Sequence, residues 1–278
     1  MSKGPAKTSQ SNRHPKSGSR RLMALFALGL LTTIAALTGG CGGGVSAALS
    51  RLQPLTDNCH GPVNGYAGID FSATGRGNES LLEERLQAVH DLTDKVAACG
   101  GHMKVVAFSS SAAETFTLGE DDFPTTSGST ETARLIQADH VEGDLFDEVE
   151  GEVPTAEKSL QPNGSDVLAQ LRLAAQYESQ RGEGKLYVGL ATDGIATTKP
   201  VAMNTPTFTR EVARSTADEL HLPAMPGAAV RIAGIGKTTG ERQLHTTRIA
   251  AITAFYSIAC RRTKAHCLVT TDYTAQGG

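Results

Sequence analysis

Residues 66–74 read Tyr-Ala-Gly-Ile-Asp-Phe-Ser-Ala-Thr (YAGIDFSAT), a short apolar run, Tyr66–Phe71, that passes straight into an oxygen-rich turn. An apolar run of this length bounded by turn residues fits a buried strand. Ser80–Ala98 follows, with Leu81, Leu82, Leu86, Val89, Leu92 and Val96 at helical spacing. Strand then helix is the first unit. Met103–Phe108, Lys185–Thr192, Ala228–Ile235 and Cys267–Tyr273 repeat the apolar run, and Glu114–Leu118 alternates as an edge strand does. Gly119–Thr130 reads as a polar loop, and Thr132–Val149 is acidic and partly helical. Asn163-Gly164-Ser165-Asp166 caps a helix that begins at Val167. Further helices are expected over Thr209–Leu220 and Glu241–Cys260, with a loop at 195–206. Strands alternating with helices predict an α/β domain over residues 65–274, with a doubly wound, Rossmann-like, mostly parallel sheet and helices on both faces. Residues 275–278 are left as a tail.

The 278 residues are 39% hydrophobic and 20% charged, with 30 Gly and no Trp, which suits one globular domain with tails. Six Lys/Arg and no acid lie in the first forty residues, so residues 41–278 hold the remaining 20 Lys/Arg against 29 Asp/Glu. An acidic body without a basic stripe argues against nucleic acid as a partner. The basic start precedes sixteen uncharged residues, Leu22–Leu37, and then Thr38-Gly39-Gly40-Cys41. This is the layout of an export signal, and the apolar run is shorter than the roughly 20 residues of a spanning helix. The segment 1–40 resembles a bacterial lipoprotein signal, which implies lipidation of Cys41 and a membrane anchor on the extracytoplasmic face. An uncleaved N-terminal anchor or a secreted form are the alternatives. Residues 41–64, punctuated by Gly, Pro and Asn, read as a flexible linker.

Cys59, Cys99, Cys260 and Cys267 are then an even set in an oxidising compartment, and four cysteines permit three connectivities. In the expected fold all four fall toward one rim of the sheet, which favours Cys59–Cys99 and Cys260–Cys267.

Ligands of an open parallel sheet bind outside the carboxyl ends of its strands. Asp70-Phe71-Ser72-Ala73-Thr74, Gly164-Ser165-Asp166 and Thr192-Asp193-Gly194 all fall there, and their hydroxyl and carboxylate oxygens suit a hard divalent cation. In order and spacing these segments resemble the von Willebrand factor A domain and its metal-ion-dependent adhesion site, whose pattern is Asp-x-Ser-x-Ser, then Thr, then Asp. The resemblance covers about residues 64–273. It implies metal ligation by Asp70, Ser72, Thr74, Ser165 and Asp193, with Thr74 in place of Ser and Ser165 in place of Thr. Mg²⁺ is the expected ion, with Mn²⁺ or Ca²⁺ as alternatives. The implied partner is a protein or cell-envelope ligand whose acidic group completes the metal shell, so the expected work is binding, not catalysis.

Rival motifs are incomplete. Gly236-Lys237-Thr238 resembles the end of a phosphate-binding loop, but Arg231 stands where that loop needs Gly. No Gly-x-Ser-x-Gly nucleophile elbow and no His-Glu-x-x-His pair is present. A metal-independent structural module of an envelope assembly, and a soluble exported enzyme or solute-binding protein, are the readings from other classes.

Overall fold

The computed structural model describes residues 43–74, 76–125, 130–197, 202–239 and 244–274. The export segment, Cys41, the start expected for the last helix at 241–243 and the tail 275–278 lie outside them. The elements in chain order are α1 (Gly43–Thr56), β1 (Val63–Asp70), α2 (Glu79–Cys99), β2 (Gly101–Phe108), β3 (Thr115–Phe123), α3 (Glu131–Ser159), α4 (Val167–Arg181), β4 (Lys185–Ala191), α5 (Arg210–Asp218), β5 (Ala229–Ala233), α6 (Thr246–Arg262) and β6 (His266–Thr270).

The strands form one six-stranded sheet in the order β3-β2-β1-β4-β5-β6. The sheet is mixed: β2 and β3 pair antiparallel, and the other four pairs are parallel. This corrects the expected doubly wound, Rossmann-like sheet; the fold is α/β with a mixed sheet. The cause is local. Only residues 109–114 separate β2 from β3, whereas a parallel crossover needs a dozen or more residues, so the chain turns back as a hairpin.

Residues alternate between two apolar cores along the central strands. Tyr66, Val106, Phe108, Leu186, Val188, Leu190, Val230 and Ile232 pack with α4, α5 and α6. Ala67, Ile69, Met103, Val105 and Ala107 pack with α1, α2 and α3.

Three elements extend beyond their sequence-based bounds. The expected loop 119–130 is strand as far as Phe123, with a bulge between Val105 and Val106 of the paired strand. Gly119 permits this because a Cβ there would lie 2.8 Å from Leu145 Cδ1 of α3. The expected linker 41–64 contains α1, which buries Leu52 completely and packs Leu49 and Leu55 on the same core. The acidic stretch is one 29-residue helix, α3, whose Leu135, Ala138, Leu145, Val149, Val153 and Ala156 form its buried stripe.

Cys59 is bonded to Cys99, and Cys260 to Cys267. Both bridges lie where chains enter the amino-terminal rim of the sheet, and such bonds fit an extracellular domain. No helix among the described residues is long and apolar enough to cross a membrane.

Candidate functional site

The two central strands, β1 and β4, run parallel with Ile69 beside Ala191. Their next residues, Asp70 and Thr192, therefore meet at the carboxyl rim, and the Thr192 hydroxyl donates to Asp70 Oδ2 at 2.6 Å. The other Asp70 oxygen accepts the Ser72 amide at 2.8 Å. This bond folds the chain back after β1, so that Ser72 Oγ and Thr74 Oγ1 come within 3.2 Å of each other. Phe71 turns the other way into the α2/α3 core. Of the two residues between the oxygen-bearing ones, Phe71 is packed and Ala73 is exposed.

Two neighbouring segments are stitched to that loop. The Ala73 amide donates to the Pro162 carbonyl at 2.9 Å, and the Asp166 amide to the Ser109 carbonyl at 2.8 Å. Ser165 sits between these anchors, fully buried, at the start of α4, where Asp166 caps the helix through the Ala169 amide. On the other side, the Thr239 amide donates to the Thr74 carbonyl at 3.0 Å and the Gly236 amide to the Asp193 carbonyl at 2.9 Å. Gly194 follows with φ 76°, and a Cβ there would lie 2.7 Å from Ile235 Cδ1. A side chain at 194 would thus be strained both in backbone and in packing.

The candidate ligands split into two groups. Asp70, Ser72 and Thr74 are joined by hydrogen bonds within one loop, and Asp193 lies close enough for the Asp70 carboxylate and the Thr74 hydroxyl to influence its carboxyl. Ser165 shares the rim on its own loop, and its hydroxyl has no hydrogen-bond partner among the described residues. The same holds for Asp193 Oδ2, although Oδ1 accepts the Ile195 amide at 2.8 Å. A buried acceptor or hydroxyl left unpaired is destabilising by roughly 1–3 kcal/mol, and sites that retain one have a use for it.

The electrostatics point the same way. Burial, and after it the neighbouring Asp70 carboxylate, push the Asp193 carboxyl up to about 6, against the opposing influence of the nearby Thr74 hydroxyl and the Ile195 amide. Arg85 lies fully buried beneath both acids and donates to the Asp70 carbonyl and, at 3.0 Å, to the Tyr273 hydroxyl. Burial opposes its charge, but Tyr273, Asp70 and Asp193 overcome this and raise its pKa. One guanidinium thus faces two buried carboxylates.

The Tyr256 hydroxyl, also buried and without a hydrogen-bond partner among the described residues, closes the site from α6. Burial and then Asp70, Asp193 and Asp166 raise its pKa well above the ordinary value, so it stays protonated.

Arg85 and Tyr256 were not among the residues singled out from sequence, and Thr192 was named there only as part of its oxygen-rich segment, not as a site residue. Arg85 carried a signal, as the one charge in the buried row Leu81, Arg85, Val89 of α2. Lys237, from the incomplete phosphate-loop motif, instead pairs with Glu84 and lies over the Tyr273 ring. No group of three or more His, Cys, Asp or Glu among the described residues is placed to hold a metal. The donor set at the rim is two carboxylates and three hydroxyls. Such oxygens, with waters, are what Mg²⁺ accepts, so the residues present fit the ion.

No protein-family model and no curated protein matches the chain. Among solved structures, the chain is similar to proximal thread matrix protein 1 from the mussel byssus, with 16% identity and a TM-score of 0.38 over 74% of this chain and 48% of that one. It is also similar to the pilus adhesin SpaC from Lactobacillus rhamnosus GG, at 11% identity and TM-score 0.39 over 76% and 28%. A third is the type V pili tip protein Mfa5 from Porphyromonas gingivalis, at 13% identity and TM-score 0.33 over 77% and 43%. The chain spans less than half the length of each of these three.

Proposed function

We propose that this chain is a von Willebrand A-type binding module, lipid-anchored through Cys41 on the extracytoplasmic face of a membrane. It engages a protein or cell-envelope partner through a divalent cation, Mg²⁺ before Mn²⁺ or Ca²⁺. Ser72, Thr74 and Ser165 would hold the ion by their hydroxyls. Asp70 would act through water, because both its oxygens already accept hydrogen bonds, and Asp193 would use its unpaired Oδ2. The ion supplies positive charge and a coordination position for an acidic group of the partner. The chain's own residues bind and orient; nothing in the proposal breaks a covalent bond.

The observation that carries this reading is the pair of buried oxygens without partners among the described residues, Ser165 Oγ and Asp193 Oδ2, the latter on a carboxylate that Asp70 repels. A divalent cation satisfies the oxygens and offsets the repulsion together. An apolar or hydrogen-bonded core would have selected other residue types at these positions.

The test is calorimetric titration of Mg²⁺ and Mn²⁺ into chelator-stripped protein, wild type beside Asp70→Ala. Binding that disappears in the folded variant is the expected result. Equal binding in both proteins removes the assignment, and no binding in either turns the reading to a metal-independent structural module.

A further inference from the structure

We propose that β6 is a docking edge for a second copy of this chain, the two β6 strands pairing antiparallel so that the two sheets join. The sheet has two lateral edges, and they are finished differently. The β3 edge is nine residues long and carries Glu120, Asp121 and Asp122, and its pairing to β2 contains a bulge. Charges and bulges on an edge strand are the usual guards against pairing with another chain. The β6 edge, His-Cys-Leu-Val-Thr, has no Asp, Glu, Lys, Arg or Pro. Its Leu268 is 37% exposed, one of three large hydrophobics so exposed among the described residues.

The main chain of β6 is ready for such a partner. The His266 amide donates to the Ala228 carbonyl, and the Thr270 carbonyl accepts from the Gly234 amide, so the even-numbered residues face β5. In a parallel ladder each such residue turns both its groups to the same neighbour, which leaves the amides and carbonyls of Cys267 and Val269 pointing outward.

Charge selects a second copy over a foreign strand. Arg261, Arg262 and Lys264 precede β6 and Asp272 follows it, all four exposed; Asp272 lies 3.6 Å from Lys237 of its own chain and, two-thirds exposed, remains open to a second cation. A strand with opposite charges at its two ends complements its own antiparallel copy. The register that sets Lys264 opposite the second copy's Asp272 puts Leu268 on the twofold axis. Cys267 and Val269 then form the flanking hydrogen-bonded pairs, in agreement with the outward groups. On the Leu268 side, a cleft of about 500 Å³ between α2 and the strands, lined by Leu92, Gly189, Ala229, Arg231 and Leu268, runs to the same edge. Joining the sheets would merge the two clefts across the axis.

The axis makes the proposal testable by cross-linking. Non-hydrogen-bonded antiparallel pairs bring Cα atoms to about 4.5 Å, within the disulfide range of roughly 4.4–6.8 Å. Full-length Leu268→Cys protein is oxidised with copper phenanthroline beside Val212→Cys, whose parent residue is 41% exposed on α5. Unmodified protein controls for the native cysteines. The expected result is a covalent dimer at least tenfold more abundant for Leu268→Cys than for Val212→Cys. Adding Asp272→Lys should lower that yield, and adding Lys264→Glu as well should restore it. Equal or absent cross-linking at the two positions overturns the proposal. A yield indifferent to both charge changes overturns the antiparallel pairing.

Discussion

The two rims of the sheet, where strands enter and where they leave, are built to opposite specifications. At the amino rim, chain entries are fastened covalently by Cys59–Cys99 and Cys260–Cys267. The buried polar side chains there have partners: Asn64 donates to the Glu183 carbonyl at 3.1 Å, and His102 bonds the Tyr177 hydroxyl on one side and meets Glu120 at 3.1 Å on the other. At the carboxyl rim, Ser165 Oγ, Asp193 Oδ2 and the Tyr256 hydroxyl are buried without such partners among the described residues. Two carboxylates there repel each other. The difference teaches that this chain places its stabilising features on one rim and keeps unsatisfied, destabilising ones on the rim proposed to bind. A site that must hold something else is left incomplete in itself.

The largest expected effect tests whether the rims are independent. Replacing Cys59 and Cys99 together by Ala reopens a forty-residue loop and should lower stability by about 4 kcal/mol on the chain-entropy model, read by urea denaturation. Mg²⁺ affinity of the protein that remains folded should not change. A parallel loss of affinity would show that the rims are coupled and that the division drawn above is wrong.

How much of this was legible in the sequence follows the same division. The central strands announce themselves as apolar runs, because β1 is buried on both faces and β4 is buried on one and half-buried on the other. The oxygen-rich segments were legible as turns and a helix cap, the places that Asp, Ser and Thr favour, and Asp166 does cap α4. What failed to show was long-range. Gly119 looks like a turn residue and is instead the small residue that lets α3 close on β3. The antiparallel direction of β3 was present only in the shortness of its connection. In α1, the glycines at its start and Pro54 masked a stripe whose burial depends on α2 and α3. Arg85 was visible as a charge on an apolar row, but its meaning lies in carboxylates brought to it by folding.

The carboxyl rim should show its strain when metal is withheld. Asp193 binds a proton more tightly in the folded chain, near 6, than in the unfolded chain, where an Asp titrates near 4. Between these values the folded state holds the extra proton, so stability falls as pH rises through the window. In chelator, wild-type stability should therefore drop from pH 4 to pH 7, and Asp193→Asn should remove that slope and be more stable at pH 7 by on the order of 2 kcal/mol. Urea midpoints across the range measure it. An unchanged slope in the variant would mean that the two acids are not in conflict.

Ser165→Ala sharpens the contrast on a neutral group. Its hydroxyl is buried and without a partner among the described residues, so its removal from chelated protein should raise stability by about 1 kcal/mol. The same change should weaken Mg²⁺ binding in calorimetry. A gain in one and a loss in the other is the signature of a residue kept for a ligand. Destabilisation in chelator would instead make Ser165 a packing residue.

The smallest effect comes from the amino rim and has the opposite sign. Burial, and after it Arg181, lower the His102 pKa, against Glu120 and Asp122, which pull it upward. The folded chain thus binds this proton less readily than the unfolded chain, where His titrates near 6.5. The stabilisation is complete above about pH 6.5 and is lost as pH falls toward the lowered folded value, whereas Asp193 favours the fold on the acid side. Its charged neighbours Glu120 and Asp122 are solvent-exposed and screened, which should hold the His102 contribution below about 1 kcal/mol. In an Asp193→Asn background, which isolates the amino rim, chelated protein should lose stability on acidification below pH 6.5, and His102→Gln should flatten that loss. If the loss persists, the acid sensitivity belongs to another group, and the amino rim is held by its disulfides without help from the neutral histidine.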